Sequence, residues 1–195
     1  MSKGDDTRQR IIEKAAALYN IKGISGTSVS DVMDATQLAK GGIYRRFENK
    51  EELTLAVFQY LATRLSNAIN NAIKDQPTAT GRLNALLDFY TDRLALSPTG
   101  GCPLMNFGVE ADDTDTSLSE QVGKGISAIQ QQISRIVQEG IKTGEFKSSV
   151  NPELFGIKTF NLLEGTILAC RVMKNKAQMR SVTRLLKEEI ASFRK

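Results

Sequence analysis

Apolar residues recur at spacings of three and four along most of the chain. Strand-like alternation never lasts more than a few residues, so the pattern predicts an all-α protein. A first helix is expected from about Thr7 to Ile21, with Asp6 or Thr7 as its N-cap. Ile11, Ile12, Ala15, Ala16, Leu18 and Tyr19 form its packing face, and Gly23 ends it. Ser28 followed by Asp31 fits the Ser/Thr-x-x-Asp/Glu start signal, and Val29, Val32 and Met33 continue at helical spacing to a last apolar anchor at Leu38. The next helix begins near Lys40 and sets Ile43 and Phe47 one turn apart, so both face inward and the other side stays polar. Two short helices around a tight turn make a helix-turn-helix.

Beyond this module the periodicity continues. Asn49 and Glu52 pair as a start signal for a helix running to about Lys74, which links the module to the rest of the chain. Pro77 breaks the pattern, and a helix from about Thr80 to Leu96 follows. After a loop at 97–101, Cys102, Pro103 and Leu104 start a short helix reaching about Glu110, with Pro103 at the first helical position. A long helix spans about Ser117 to Thr143 and stops at Gly144. Pro152 opens a helix to about Met173 whose Leu154, Phe155, Ile157, Phe160, Leu162, Leu163, Ile167 and Leu168 leave few polar positions, so it must be covered on more than one side. A last helix covers about Ala177 to Phe193.

The stretch from Thr27 to Leu53 resembles the DNA-binding domain of the TetR family of transcriptional repressors. Thr27 and Ser28 match the pair that opens the family's helix 2. Lys40, Gly41, Ile43, Tyr44 and Phe47 match its Lys-Gly-x-Leu/Ile-Tyr-x-x-Phe recognition helix, and Lys50, Glu51 and Leu53 match the Lys-Glu-x-Leu that follows. The chain departs from the family at Gln37, where a turn glycine is usual, and at Ala39, Gly42 and Arg46, which bears on the base sequence read. The resemblance implies an N-terminal three-helix DNA-binding domain, residues 1–50, followed by a helical ligand-binding and dimerisation domain, residues 51–195. It further implies pairing of the last two long helices with those of a second copy; completion of a monomer core is the alternative.

Charge sharpens the picture. Of the formal +4, residues 1–50 carry +3, from nine Lys/Arg against six Asp/Glu, which suits a polyanionic partner. No apolar run approaches the length of a membrane span, and two cysteines are too few for a disulfide framework, so a cytoplasmic chain is expected. Enzyme chemistry finds little support, because histidine is absent and no GxSxG, GxGxxG or P-loop pattern occurs. The acids Asp112, Asp113 and Asp115 lack the spacing of a calcium loop, and neither a metal site nor a cofactor is expected.

Gly41 and Gly42 would let the recognition helix approach base edges, and Arg45 is placed to donate to guanine. Arg46, Tyr44 and Lys50 flank it for phosphate contact, as does Thr27 at the start of helix 2, and Lys40 is a further candidate DNA-binding residue. Leu86, Tyr90, Phe107, Phe155, Phe160 and Glu164, on core-facing positions, are the candidate effector pocket. Cys102 has two readings: a buried structural thiol, or a helix-N-cap thiolate that reacts with electrophiles. The run Gly101 to Asn106 is similar to the Gly-Cys-x-x-x-Asn of electrophile-responsive TetR relatives. The reading is therefore a homodimeric repressor, bound to a pseudo-palindromic double-stranded operator and released by a small molecule or by cysteine modification. A helical interaction dimer whose helix-turn-helix no longer serves DNA is the alternative.

Overall fold

The computed structural model describes residues 3–95 and 97–194. Its helices are α1 (Lys3–Lys22), α2 (Val29–Thr36), α3 (Lys40–Tyr44), α4 (Lys50–Ile73), α5 (Ala79–Phe89), α6 (Pro103–Ala111), α7 (Thr116–Lys142), α8 (Pro152–Val172) and α9 (Ala177–Ser192). The only β pairing among the described residues is a lone antiparallel bridge between Phe146 and Arg194.

Most spans fall within a residue or two of those the periodicity predicts, and two differ. α1 reaches back to Lys3, past the expected cap, which puts Asp5 and Asp6 in its first turn against the positive end of the helix dipole. The expected helix from Thr80 to Leu96 becomes α5 plus a π-helical turn, Tyr90–Leu94, in which the Ala95 N–H donates to the Tyr90 carbonyl at 3.1 Å. Its expected end at Leu96 lies outside the described residues.

Contacts divide the chain into two compact units: Met1–Leu65 with Pro103–Val122, and Ser66–Cys102 with Gly123–Lys195. The sequence reading set its boundary at residue 50; the contacts group 51–65 and 103–122 with the N-terminal helices. The first unit buries Ile11, Ala15 and Tyr19 of α1, Val32 of α2, Ile43, Phe47, Val57 and Phe58, together with Phe107 of α6. Tyr19 stacks on Phe107 with ring centroids 6.3 Å apart, and Phe58 meets the same ring at 5.5 Å.

The second unit buries Leu83, Leu86 and Leu87 of α5, Ile133 and Val137 of α7, Phe155, Phe160, Leu163 and Ile167 of α8, and Met179, Leu186 and Ile190 of α9. α7 and α8 meet at backbone contact, because a Cβ on Gly156 would stand 2.5 Å from the Gln130 carbonyl oxygen. The Glu145 carboxylate accepts from the Ala79 and Thr80 amides, both at 2.8 Å, and so satisfies N–H groups that the first turn of α5 leaves without helical partners. The other side of α8 remains apolar and open: Leu154, Ile157, Leu168 and Val172 are exposed, Leu168 by 66% and Val172 by 74%. No helix among the described residues is long and apolar enough to cross a membrane.

Candidate nucleic-acid interface

The turn that leads into α2 is built by local hydrogen bonds. Ser28 caps α2: its hydroxyl accepts from the Asp31 amide, and Asp31 accepts from the Ser28 amide at 2.8 Å, a reciprocal capping box. Lys22 reaches the same carboxylate at 2.6 Å and, with Ser28, holds Asp31 well below the usual carboxylate range. Thr27 lies inward, fully buried, and its hydroxyl donates to the Gly23 carbonyl at 2.7 Å, so its side chain is committed to the turn and not offered to a phosphate. α2 ends at Gln37 with φ 57 and ψ 35, the left-handed conformation. That geometry explains why a glycine suits this position and why glutamine is strained there.

α3 is five residues long, and its face follows from its length. Ile43 points into the unit, as does Phe47 just past the helix end, where the Arg8 guanidinium covers its ring at 4.7 Å. Lys40, Gly41, Tyr44, Arg45 and Arg46 are exposed. Arg45 and Arg46 make no ion pair among the described residues, while the Lys40 ammonium sits 5.8 Å from the Tyr44 ring centroid. A Cβ on Gly41 would meet nothing within 4 Å, and one on Gly42 would only touch Leu38 at ordinary contact distance. Neither glycine is required by the packing of this chain. The surface that results is cationic, with donors free to meet an anionic partner.

Lys50 faces the scaffold. Its ammonium donates to the Ile24 carbonyl at 2.8 Å, which engages it in holding the α1–α2 loop. The same loop is held by α6, whose Glu110 carboxylate accepts from the Ile24 amide at 2.7 Å and the Ser25 amide at 2.8 Å. Burial pushes the Glu110 carboxyl up, but the Ser25 and Ile24 amides and the Lys50 charge outweigh it, and the net shift is downward. One turn earlier, the Asn106 side-chain amide donates to the Asn20 carbonyl and side-chain oxygen, both at 3.0 Å. The sequence marks Asn106 only as the end of the Gly-Cys-x-x-x-Asn run and Glu110 not at all, because their partners lie 85 or more residues away.

The expected pocket residues part company. Tyr90, Cys102 and Glu164 come together in the second unit: the Tyr90 hydroxyl is raised first by burial and then by the neighbouring Glu164 and Cys102. Burial raises the Glu164 carboxyl and the Cys102 thiol, a weak donor, opposes it, with the net result pushed up to about 7. Cys102 immediately precedes α6, as expected of a helix-start thiol, but is 1% exposed. Leu86 and Phe160 are buried in the same unit. Phe155 instead packs edge-on against Phe193 at 5.0 Å, and Phe107 belongs to the first unit with Tyr19 and Phe58. Apolar periodicity marks such residues as buried without saying which core they join.

Comparison with known proteins agrees with this geometry. Residues 11–57 match the family model described as "Bacterial regulatory proteins, tetR family", and residues 79–186 match "Tetracyclin repressor-like, C-terminal domain". A TetR-family transcriptional regulator of known structure from Cytophaga hutchinsonii is 35% identical and superposes with a TM-score of 0.93, covering 100% of this chain and 98% of its own. One from Chloroflexus aurantiacus J-10-FL is 34% identical with a TM-score of 0.91, covering 98% and 97%. The HTH-type transcriptional repressor DhaR of Mycobacterium sp. (strain GP1) is 24% identical over 169 residues, 87% of this chain and 84% of the relative. With both its helix-turn-helix and its helical body matched, the chain belongs to the TetR family of transcriptional regulators.

Proposed function

We propose that this chain is a homodimeric, cytoplasmic repressor that binds a pseudo-palindromic duplex operator through α3 and lets go when an effector occupies its second unit. The observation that carries the reading is the outer face of α3: Lys40, Tyr44, Arg45 and Arg46 are exposed, and Gly41 adds no side chain that would hold the backbone away from base edges. Arg45 supplies the base contact; Lys40, Tyr44 and Arg46 position the helix on phosphates. The capping box of α2 and the Glu110 and Lys50 contacts to the α1–α2 loop fix the angle at which that face is presented.

Dimerisation is supported by the open apolar stripe of α8, with exposed Leu185 on α9 adding to it. A contiguous apolar surface of this kind is what a second copy covers, and Gly165 within it leaves room for close approach of a partner helix. Release travels along the chain itself: Cys102, beside Glu164 and Tyr90, is bonded to Pro103 at the start of α6, and α6 carries Glu110. A shift of α6 then moves the loop that leads into α2. The burial of Cys102 favours a noncovalent effector over modification of that thiol.

The test is an electrophoretic mobility assay on the DNA upstream of the protein's own gene, across a salt series. Affinity that falls steeply as salt rises supports binding through phosphates. No retarded species at low salt supports the interaction-protein alternative.

A further inference from the structure

The second unit buries polar groups that its helix packing leaves without partners. Glu164 is 4% exposed on α8, with buried Phe160, Leu163 and Ile167 along the same side of the helix, and its carboxylate oxygens have no N–H or O–H partner, the weakly donating Cys102 thiol being the donor that faces them. No ion pair among the described residues involves it. The Tyr90 hydroxyl, fully buried where the π-helical turn begins, is also without a partner. A carboxyl in such a place destabilises the fold, and an apolar side chain of similar volume would avoid that cost. π-helical turns are likewise costly and concentrate at sites that bind something. These features converge on Tyr90 and Glu164, which interact electrostatically with each other and with Cys102.

We propose that Glu164 and Tyr90 are the recognition end of an effector site for a lipophilic amine, whose ammonium docks between the carboxylate and the phenol oxygen while its apolar body lies against the side of α8 that carries Phe160, Leu163 and Ile167. The proposal rests on the reading of the second unit as the effector-binding part. An ammonium supplies several N–H donors and a full positive charge to a carboxylate that has only a weak thiol donor and no cation beside it. A carboxylate ligand would meet repulsion from ionised Glu164, and an alcohol would leave the charge unpaired. Because the site needs the ionised carboxylate, amine binding displaces the Glu164 proton and strengthens as pH rises through about 7. Tyr90 and the Cys102 thiol are the other titratable groups facing the carboxyl, and the Tyr90 hydroxyl, raised by burial, stays protonated over that range.

The experiment titrates the full-length protein calorimetrically with n-octylammonium, octan-1-ol and octanoate, matched in chain length, at pH 8 and pH 6. Octylammonium is expected to bind best, to weaken several-fold at pH 6, and to weaken about tenfold or more in Glu164→Gln. Tyr90→Phe keeps the ring, guards against a misfolded first variant, and is expected to show a smaller loss. Equal or better binding of octanol or octanoate, amine binding that is unchanged in Glu164→Gln, or no octylammonium binding at millimolar concentration each overturns the proposal. A parallel mobility assay on DNA separates the two readings: amine binding that leaves DNA affinity unchanged supports the site and counts against its effector role. DNA binding without amine binding counts against the site alone.

Discussion

Glu110 and Lys50 hold the two faces of one residue: the carboxylate takes the Ile24 N–H at 2.7 Å, and the ammonium donates to the Ile24 carbonyl at 2.8 Å. Ile24 sits between α1 and α2, so helix α6 and the first turn of α4 jointly set where the helix-turn-helix starts. Glu110→Gln keeps the shape and removes the charge that strengthens two backbone hydrogen bonds. The expected cost is about 1 to 2 kcal/mol of unfolding free energy, with weaker DNA binding, read by denaturant titration and anisotropy. Wild-type behaviour in both would remove the loop grip from the account.

Gly41→Ala separates folding from function. The added methyl meets nothing in the chain and improves helix propensity by roughly 0.5 to 1 kcal/mol, so the melting temperature should hold or rise. DNA affinity should fall, because the methyl stands on the face presented to base edges. Undiminished affinity would place the groove contact elsewhere on α3.

Gln37→Gly should stabilise the chain by up to about 1 kcal/mol, since glycine adopts the left-handed conformation at φ 57 without the clash a Cβ introduces. The side-chain bond that Gln37 donates to the Asp34 carbonyl at 2.6 Å offsets part of that gain. Chemical denaturation decides it, and a less stable glycine variant would show that this bond outweighs the backbone strain.

The helix-turn-helix was legible because its signals are local. Ser28 and Asp31 lie three residues apart and form the predicted capping box, and Ile43 and Phe47 are buried as their spacing requires. Thr27 fits the family's motif for a different reason than phosphate contact: its hydroxyl closes the turn on Gly23. The π-helical turn at Tyr90 carries no sequence signal, since nothing local distinguishes an i→i+5 from an i→i+4 bond. The roles of Glu110 and Asn106 were not legible for want of a nearby partner, and Phe107, a candidate pocket residue by its periodicity, packs with Tyr19 and Phe58, because periodicity reports burial, not neighbours.

Stability should depend on pH through Glu164. Its carboxyl titrates at about 7 in the folded chain against an ordinary 4.5, so the folded state holds a proton that the unfolded state has released between those values. Stability from this group is therefore lost as pH rises from about 4.5 to about 7. Glu164→Gln does not titrate, so its unfolding free energy should gain on wild type across that window, by about 3 kcal/mol at most. A difference that stays constant from pH 5 to pH 8 would contradict the buried, unpaired carboxyl.

Leu168→Glu tests the α8 stripe. Leu168 is 66% exposed in the single chain, so the substitution should leave the protomer folded while a charge at the pairing surface drives dimers apart. Light scattering at micromolar concentration is expected to show wild-type dimers and variant monomers that no longer retard DNA. A monomeric wild-type chain would overturn the dimer.

The most direct measurement is selection of bound sequences from a pool of randomised duplex DNA by the full-length protein. Two inverted half-sites, centred about one helical turn (~34 Å) or slightly more apart, are expected to enrich, and Arg45→Ala is expected to relax the base preference within each half at a cost of about 1 to 3 kcal/mol. A pool that emerges with no preferred sequence, or an Arg45→Ala protein that selects the same sites with the same stringency, would contradict the claim that α3 of this chain reads an operator.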